Sequence, residues 1–344
     1  MPRWCCRHNG LRLKAEVAAV DSERMNQGAV EAPEMLRDPL RVRLGVAKRH
    51  YLLRAQRILL RRRVARAGTE DPPVRPVFIV GCPRSGTSLV YTLLRRHEVF
   101  RSPEGEGHLL WNAYQHPRFS GWSSDRATAA DLAAEEPRFI YSVIRMISGD
   151  RRFLDKTPKN VLKIPYLVRL FPDATFIFLR RDGRDTVNSL IEGWQVRQTP
   201  SYRVPQRLEL ADYRGRLWCF ILPPDWRRWA RTSVAEVAAY QYASSYDIAL
   251  EDVRALPEDS VVELAFEDFL RRPVEEATRV LERIGLKSTE PVLEMARNLD
   301  RYPVVTNSAP RAEKWRERAH QIARVWPLIE PTMERLGYDV TVRP

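Results

Sequence analysis

The 344-residue sequence has few or none of several features that would define it. No stretch approaches the roughly 18 uninterrupted apolar residues of a membrane-spanning helix. The N-terminus carries no charged-then-apolar leader, because charges interrupt every apolar run. These absences, with a hydrophobic fraction of 44%, point to a soluble globular protein and a cytoplasmic location. Four cysteines are too few for a disulfide framework at this length. Cys5 and Cys6 are adjacent, and Cys82 and Cys219 stand alone, so no metal-ligand spacing emerges and no metal is expected. There is no internal repeat. Acidic residues are scarce in one region only. Up to Arg75 there are 17 Lys/Arg against 8 Asp/Glu, while the remainder has 40 against 36. Most of the net charge of +13 therefore belongs to an N-terminal segment, and nucleic acid is not expected as a partner of the rest.

What is present centres on Val77–Ser88, VFIVGCPRSGTS. Val77 to Val80 is an unbroken apolar run of the kind buried on both faces of a parallel sheet. Gly81 to Gly86 reads as a turn, and TSLVYTLLRR after it has helical spacing. A strand, a Gly-bounded loop and a helix N-terminus make an anion site from converging backbone N–H groups. Pro83 and Arg84, with Ser85, Gly86, Thr87 and Ser88, supply a cation, hydroxyls and close backbone. The spacing Gly81-x-x-x-x-Gly86-x-Ser88 is that of a nucleotide P-loop, but Thr87 stands where the lysine for β/γ-phosphates belongs. That substitution argues against ordinary ATP or GTP hydrolysis. A P-loop kinase with a degenerate loop remains the alternative.

Further along, apolar runs at Arg152–Asp155, Thr175–Leu179 and Ser260–Ala265 read as strands. Helical spacing predicts helices over Val161–Leu170 (shortened or kinked by Pro165), Arg181–Trp194, Ser233–Ala255, Val274–Ile284 and Pro291–Leu299. A last helical stretch, Ala312–Leu336, is expected to be interrupted by Pro327 and Pro331. Alternating strands and helices imply a three-layer α/β/α fold around a mainly parallel sheet, with ligands beyond the C-terminal strand ends. Residues 197–232, crowded with Arg, Pro and aromatics, read as an irregular insertion near the substrate. Residues 1–75 read as a basic extension, partly disordered or helical. Within it Pro39–Ala67 suits either a basic helix on an anionic membrane surface or a helix packed on the domain with its Arg stems. Residues before Gly68 are expected to be dispensable for chemistry.

Arg181 and Ser189 flank a turn and about a turn and a half of helix, so both can face one phosphate. Together with PRSGTS, this pair resembles the PAPS-dependent sulfotransferases, in their bacterial and tyrosylprotein-type branch. PAPS is 3′-phosphoadenosine 5′-phosphosulfate. The resemblance covers roughly Val77 to Tyr338 and implies a sulfotransferase domain over 76–340. It implies that the loop holds the 5′-phosphosulfate and that Arg181 and Ser189 hold the 3′-phosphate. Asp155-Lys156-Thr157-Pro158 resembles the family's catalytic-lysine turn, and Lys314-Trp315 the pair that closes over the nucleotide. Pro158 stands where cytosolic small-molecule enzymes carry a catalytic histidine. The base is then sought after the phosphate-loop helix, at Glu106 or Glu104, with His108 as a third candidate. Gly105 and Gly107 favour Glu106 by letting an acceptor approach. The acceptor is a hydroxyl on a carbohydrate, a lipid-linked glycan, a phenol, a peptide tyrosine or a metabolite. Peripheral membrane contact and a homodimer stay open, as does a non-catalytic membrane binder.

Overall fold

Residues Val77–Val80 form a strand buried along its whole length, and alternate side chains divide two hydrophobic clusters. Val77 and Ile79 face one side of the sheet, Phe78 and Val80 the other. The computed structural model describes residues 36–38, 40–103, 105–196, 200–301 and 313–344. The expectations for residues before 36, for Glu104 and for the loop at 302–312 lie outside them.

In chain order the strands are β1 (Leu36–Arg37), β2 (Val77–Val80), β3 (Phe100–Arg101), β4 (Arg152–Asp155), β5 (Thr175–Arg180), β6 (Pro200–Glu209), β7 (Tyr213–Cys219) and β8 (Val261–Ala265). The α-helices are α1 (Leu40–Ala67), α2 (Thr87–Leu94), α3 (His108–Trp111), α4 (Glu136–Ser148), α5 (Ile164–Leu170) and α6 (Gly183–Val196). They continue with α7 (Val234–Arg254), α8 (Phe266–Arg271), α9 (Pro273–Arg283), α10 (Glu290–Arg297) and α11 (Ala319–Arg335).

Strands β3, β4, β2, β5 and β8 lie side by side in that order, every pair parallel. Helices α2, α8, α9 and α10 cover the Val77/Ile79 face. Helices α4 to α7 and α11 cover the other, where Phe78 packs against Phe176, Phe171, Phe153 and Trp111. This is the three-layer α/β/α arrangement that the sequence implied. The turns after β4, β2 and β5, three neighbouring strands, open on one sheet edge.

Two elements differ from the sequence expectation, and a third, the helix at Pro165, is shortened as expected. The stretch read as irregular contains an antiparallel hairpin, β6 with β7, whose free side pairs with β1. Pro165 lies in the first turn of α5, where it costs no hydrogen bond, and a short 3₁₀ turn (Pro158–Leu162) precedes it. Helix α11 runs through both prolines, held by packing on α7 through buried Ile322, Val325, Ile329 and Met333.

Helix α1 packs against the domain. Val64 joins the core, Arg57 donates to the Asn112 carbonyl at 2.9 Å, and the Arg61 guanidinium lies 5.1 Å from the Tyr114 ring centre. It therefore shares one compact unit, residues 35–344, with the sheet. Among the described residues no helix is long and apolar enough to cross a membrane.

Candidate active site

The loop after β2 is shaped by two left-handed residues. Gly86 sits at φ 99, and a Cβ there would come within 2.2 Å of the Phe266 ring, so only glycine fits. Arg84 adopts φ 72, which costs a side-chain-bearing residue of the order of 1 kcal/mol. Arg84 Nε donates to Ser189 Oγ at 3.1 Å. Arg181 Nη1 donates to the Arg84 carbonyl at 3.0 Å, and its guanidinium lies 4.8 Å from the Phe266 ring centre. The turns after β2 and β5 are thus joined through the side chains that the sequence singled out. Burial lowers the Arg84 pKa, Glu192 opposes that shift, and Arg181 adds to it.

The turn after β4 brings Lys156 to the same cleft. Its side chain is 7% exposed, and Nζ donates to Glu106 Oε1 at 2.7 Å. The other carboxylate oxygen, Oε2, lies 2.7 Å from His108 Nε2. Burial alone would raise the Glu106 pKa. The hydrogen bond from His108, the Lys156 charge and the Lys156 hydrogen bond outweigh it and hold the carboxyl at about 2.

A buried knot sets this pairing. Asp155 accepts from Trp111 Nε1 at 3.1 Å, Thr157 Oγ1 at 3.1 Å and Asn160 Nδ2 at 2.9 Å. Thr157 Oγ1 in turn accepts the Gly107 N–H at 2.8 Å. The Glu106 turn is therefore tied to the Lys156 turn one residue from each functional group. Burial pushes Asp155 up to about 6, against the hydrogen bonds from Trp111 and Thr157 and the Lys156 charge. Gly107 is required for close approach to this knot, since a Cβ would lie 2.6 Å from Asp155 Oδ1. Gly105, at φ 92, lines the cleft with nothing within 4 Å of its Cβ position.

Lys314 completes the cleft. Asp185 accepts the backbone N–H groups of Glu313 and Trp315 at 3.2 and 3.1 Å, which fixes the 3₁₀ turn Lys314–Arg318 on α6. Lys314 Nζ then lies 3.3 Å from Glu192 Oε2.

The cleft has a volume of about 860 Å³ and is lined by Pro83, Arg84, Gly86, Thr87, Ser88, Glu106, Lys156, Arg181, Ser189 and Lys314. Ser85 differs from expectation: its side chain is fully buried beneath the loop and is absent from the lining. Of the aromatic stretches, His116, Trp122, Tyr202 and Phe220 line the cleft, whereas Trp111, Trp218 and Trp226 are core. Lys159 Nζ lies 3.6 Å from the Tyr202 ring centre. Arg43, Val46, Ala47, Tyr51, Leu53 and Arg57 of α1 form part of the wall, a contribution that the sequence reading missed. Nine Lys or Arg against three Asp or Glu line the cleft, which suits a ligand with more than one anionic group.

Comparison with known proteins agrees with this arrangement. A sequence profile of the sulfotransferase family matches residues 76–291, more than half of the chain. Protein-tyrosine sulfotransferase 2 of Gallus gallus is 35% identical over 130 residues, 33% of this chain and 33% of that protein. Nodulation protein NoeE of Sinorhizobium fredii is 30% identical over 132 residues, 35% of this chain and 32% of that protein. The matched segment thus spans about a third of these relatives' length. Among solved structures, sulfotransferase STF9 from Mycobacterium avium superposes with a TM-score of 0.54 at 15% identity, covering 80% of each chain. That likeness is one of fold.

Proposed function

The chain belongs to the sulfotransferase family, and we propose that it transfers the sulfuryl group of PAPS to an acceptor hydroxyl. The observation that carries this reading is the Lys156–Glu106 contact of 2.7 Å in the cleft that also holds Arg84, Arg181 and Ser189. A cation for a leaving oxygen and a carboxylate for an incoming hydroxyl stand together, beside donors for two anionic groups. The donor set fits PAPS: strained Arg84, loop N–H groups and the Thr87 and Ser88 hydroxyls for the 5′-phosphosulfate, Arg181 and Ser189 for the 3′-phosphate, and Lys314 alongside.

When bound, PAPS supplies the sulfuryl group and leaves as 3′,5′-ADP. Sulfuryl transfer is analogous to phosphoryl transfer, an in-line displacement governed by positioning and electrostatics. Glu106 takes the proton from the acceptor hydroxyl, help worth about a hundred- to ten-thousand-fold. Lys156 and Arg84 stabilise the charge that builds on the bridging oxygen. His108 steadies the second oxygen of Glu106. His116, Trp122, Tyr202 and Phe220 favour an acceptor hydroxyl carried on a sugar or aromatic ring.

The test has two arms. Calorimetry should give micromolar binding of 3′,5′-ADP, about −8 kcal/mol, and no dependence on ATP with Mg²⁺. Incubation with radiolabelled PAPS and a panel of sugars, phenols and tyrosyl peptides should label one class. Binding of ATP–Mg²⁺ in preference to 3′,5′-ADP would overturn the reading.

A further inference from the structure

Helix α1 buries one side and leaves another uncovered. Val46, Leu53, Leu60 and Val64 lie on the side turned to the cleft and core. At about 100° per residue, Leu44 falls roughly opposite, with Leu40, Tyr51 and Ile58 to one flank of it and Leu52 and Leu59 to the other. These six are between 48% and 68% exposed, and they are half of the large hydrophobic side chains exposed on the described protein. An apolar row of this length on one helix is more than the scattered exposure of an ordinary surface.

The charge of the same helix says what covers it. Its 28 residues hold ten Lys or Arg and no Asp or Glu. Lys48, Arg54, Arg62, Arg63 and Arg66 are exposed. Arg57 shows the same imbalance: burial and then Arg118, Arg61 and Arg54 push its pKa down, with no acid opposing them. A second copy of α1 laid on this row would set cation against cation, and a nucleic acid would leave the Leu and Ile side chains without a partner. An anionic lipid surface satisfies both features, taking the apolar side chains between headgroups while Arg and Lys reach the phosphates.

We propose that α1 docks the protein on an anionic bilayer, with Leu40, Leu44, Leu52, Ile58 and Leu59 inserted and the neighbouring arginines on lipid phosphates. Tyr51 is both exposed and part of the cleft wall, so the docked face adjoins the cleft mouth. If the proposed sulfuryl transfer holds, this geometry selects an acceptor hydroxyl borne by an amphiphile at the membrane surface. Docking itself does not depend on that reading.

The test is co-sedimentation of the full chain with phosphatidylcholine vesicles, with and without a quarter phosphatidylglycerol. The chain should bind the anionic vesicles and be released as salt rises from about 0.1 M to about 0.5 M. Leu52→Glu/Leu59→Glu, both outside the cleft lining, should weaken binding about tenfold or more while 3′,5′-ADP affinity stays unchanged. Arg62→Glu/Arg63→Glu should do the same and flatten the salt dependence. No binding to anionic vesicles overturns the proposal, as does binding that both variants leave intact. A dimer in solution that Leu52→Glu/Leu59→Glu dissociates, with no vesicle binding, would assign the face to a second copy instead.

Discussion

Gly107→Ala puts the coupling between the Lys156 and Glu106 turns to a direct test. Gly107 has φ −70 and ψ 28, outside the left-handed region, so it is not glycine's positive-φ freedom that is used here. The effect is steric. The new methyl would stand 2.6 Å from Asp155 Oδ1, 2.7 Å from Trp111 Nε1 and 3.2 Å from Thr157 Oγ1. None of these can yield freely, because Asp155 is held by three donors and Trp111 is core. The turn must therefore lift, at an overpacking cost of about 1–3 kcal/mol. Lifting it stretches the Gly107–Thr157 hydrogen bond and draws Glu106 away from Lys156. A shift of about 1 Å at a reacting group costs roughly a hundredfold in rate. We expect kcat to fall by about that factor, about 2.7 kcal/mol, with a lowered Tm. Affinity for 3′,5′-ADP should hold, since the phosphate loop follows a different strand. Gly105→Ala is the control: nothing lies within 4 Å, so only its left-handed φ is strained. A Gly107→Ala enzyme with near-normal kcat, whatever its Tm, would show that the knot does not position the base.

The next two predictions concern the cofactor and the pH response. Arg181→Ala should weaken 3′,5′-ADP binding by about 1.5–3 kcal/mol and leave 5′-AMP binding nearly unchanged; an unaltered preference between the two by calorimetry would remove the 3′-phosphate assignment. Glu106, depressed from 4.5 to about 2, contributes stability that is present above the ordinary carboxylate range and lost as pH falls towards 2. In the wild type kcat/KM should therefore show no loss from Glu106 protonation down to about pH 5. His108→Ala removes a hydrogen bond to the charged form, so the acid limb should move up towards 4.5, and an unmoved limb would mean that Glu106 is not the base.

The site was legible where function needs local pattern. Val77–Val80 and Thr175–Leu179 are short apolar runs that lead straight into charged turns, and the chain order alone sends those turns to one sheet edge. The pairing of Lys156 with Glu106 rests on contacts between residues 50 apart, and that of Lys314 with Glu192 on residues 122 apart, which no spacing rule records. Asp185 accepts from the backbone of a turn at the far end of the chain, which its place near a helix start does not reveal. The hairpin was missed although its period was there. Tyr202, Val204, Leu208 and Leu210 are buried, and Arg203, Pro205, Arg207 and Glu209 between them are exposed. Two prolines and three arginines over Pro200–Arg214 hid an alternation that tertiary packing rewards. For helix α1 the sequence offered packing on the domain through Arg stems as one of two readings, and the contacts of Val64, Arg57 and Arg61 match it; that its inward row would make it a wall of the cleft was not legible.

A carboxyl held at about 2 is a poor proton acceptor near neutral pH, and the same contacts that position Glu106 make it so. With Glu106 as the proposed base, the resolution follows from what Lys156 would do during the proposed transfer. As negative charge grows on the leaving oxygen, it competes with Glu106 for the Lys156 ammonium. Each increment of charge drawn towards the leaving oxygen loosens the hold on the carboxylate, and burial, which raises its pKa, is then less opposed. In the proposed reaction basicity would rise as the bond to the leaving group stretches, which would couple deprotonation of the acceptor to departure of 3′,5′-ADP through one lysine. Lys156→Met separates the two effects. It should cost kcat heavily by removing the charge from the leaving oxygen, and it should also release Glu106. The Glu106 carboxyl, followed by carbon-13 NMR titration, should rise from about 2, because only His108 still opposes burial. If Glu106 still titrates near 2 in Lys156→Met, Lys156 does not control its basicity and the coupling fails, even where kcat is lost.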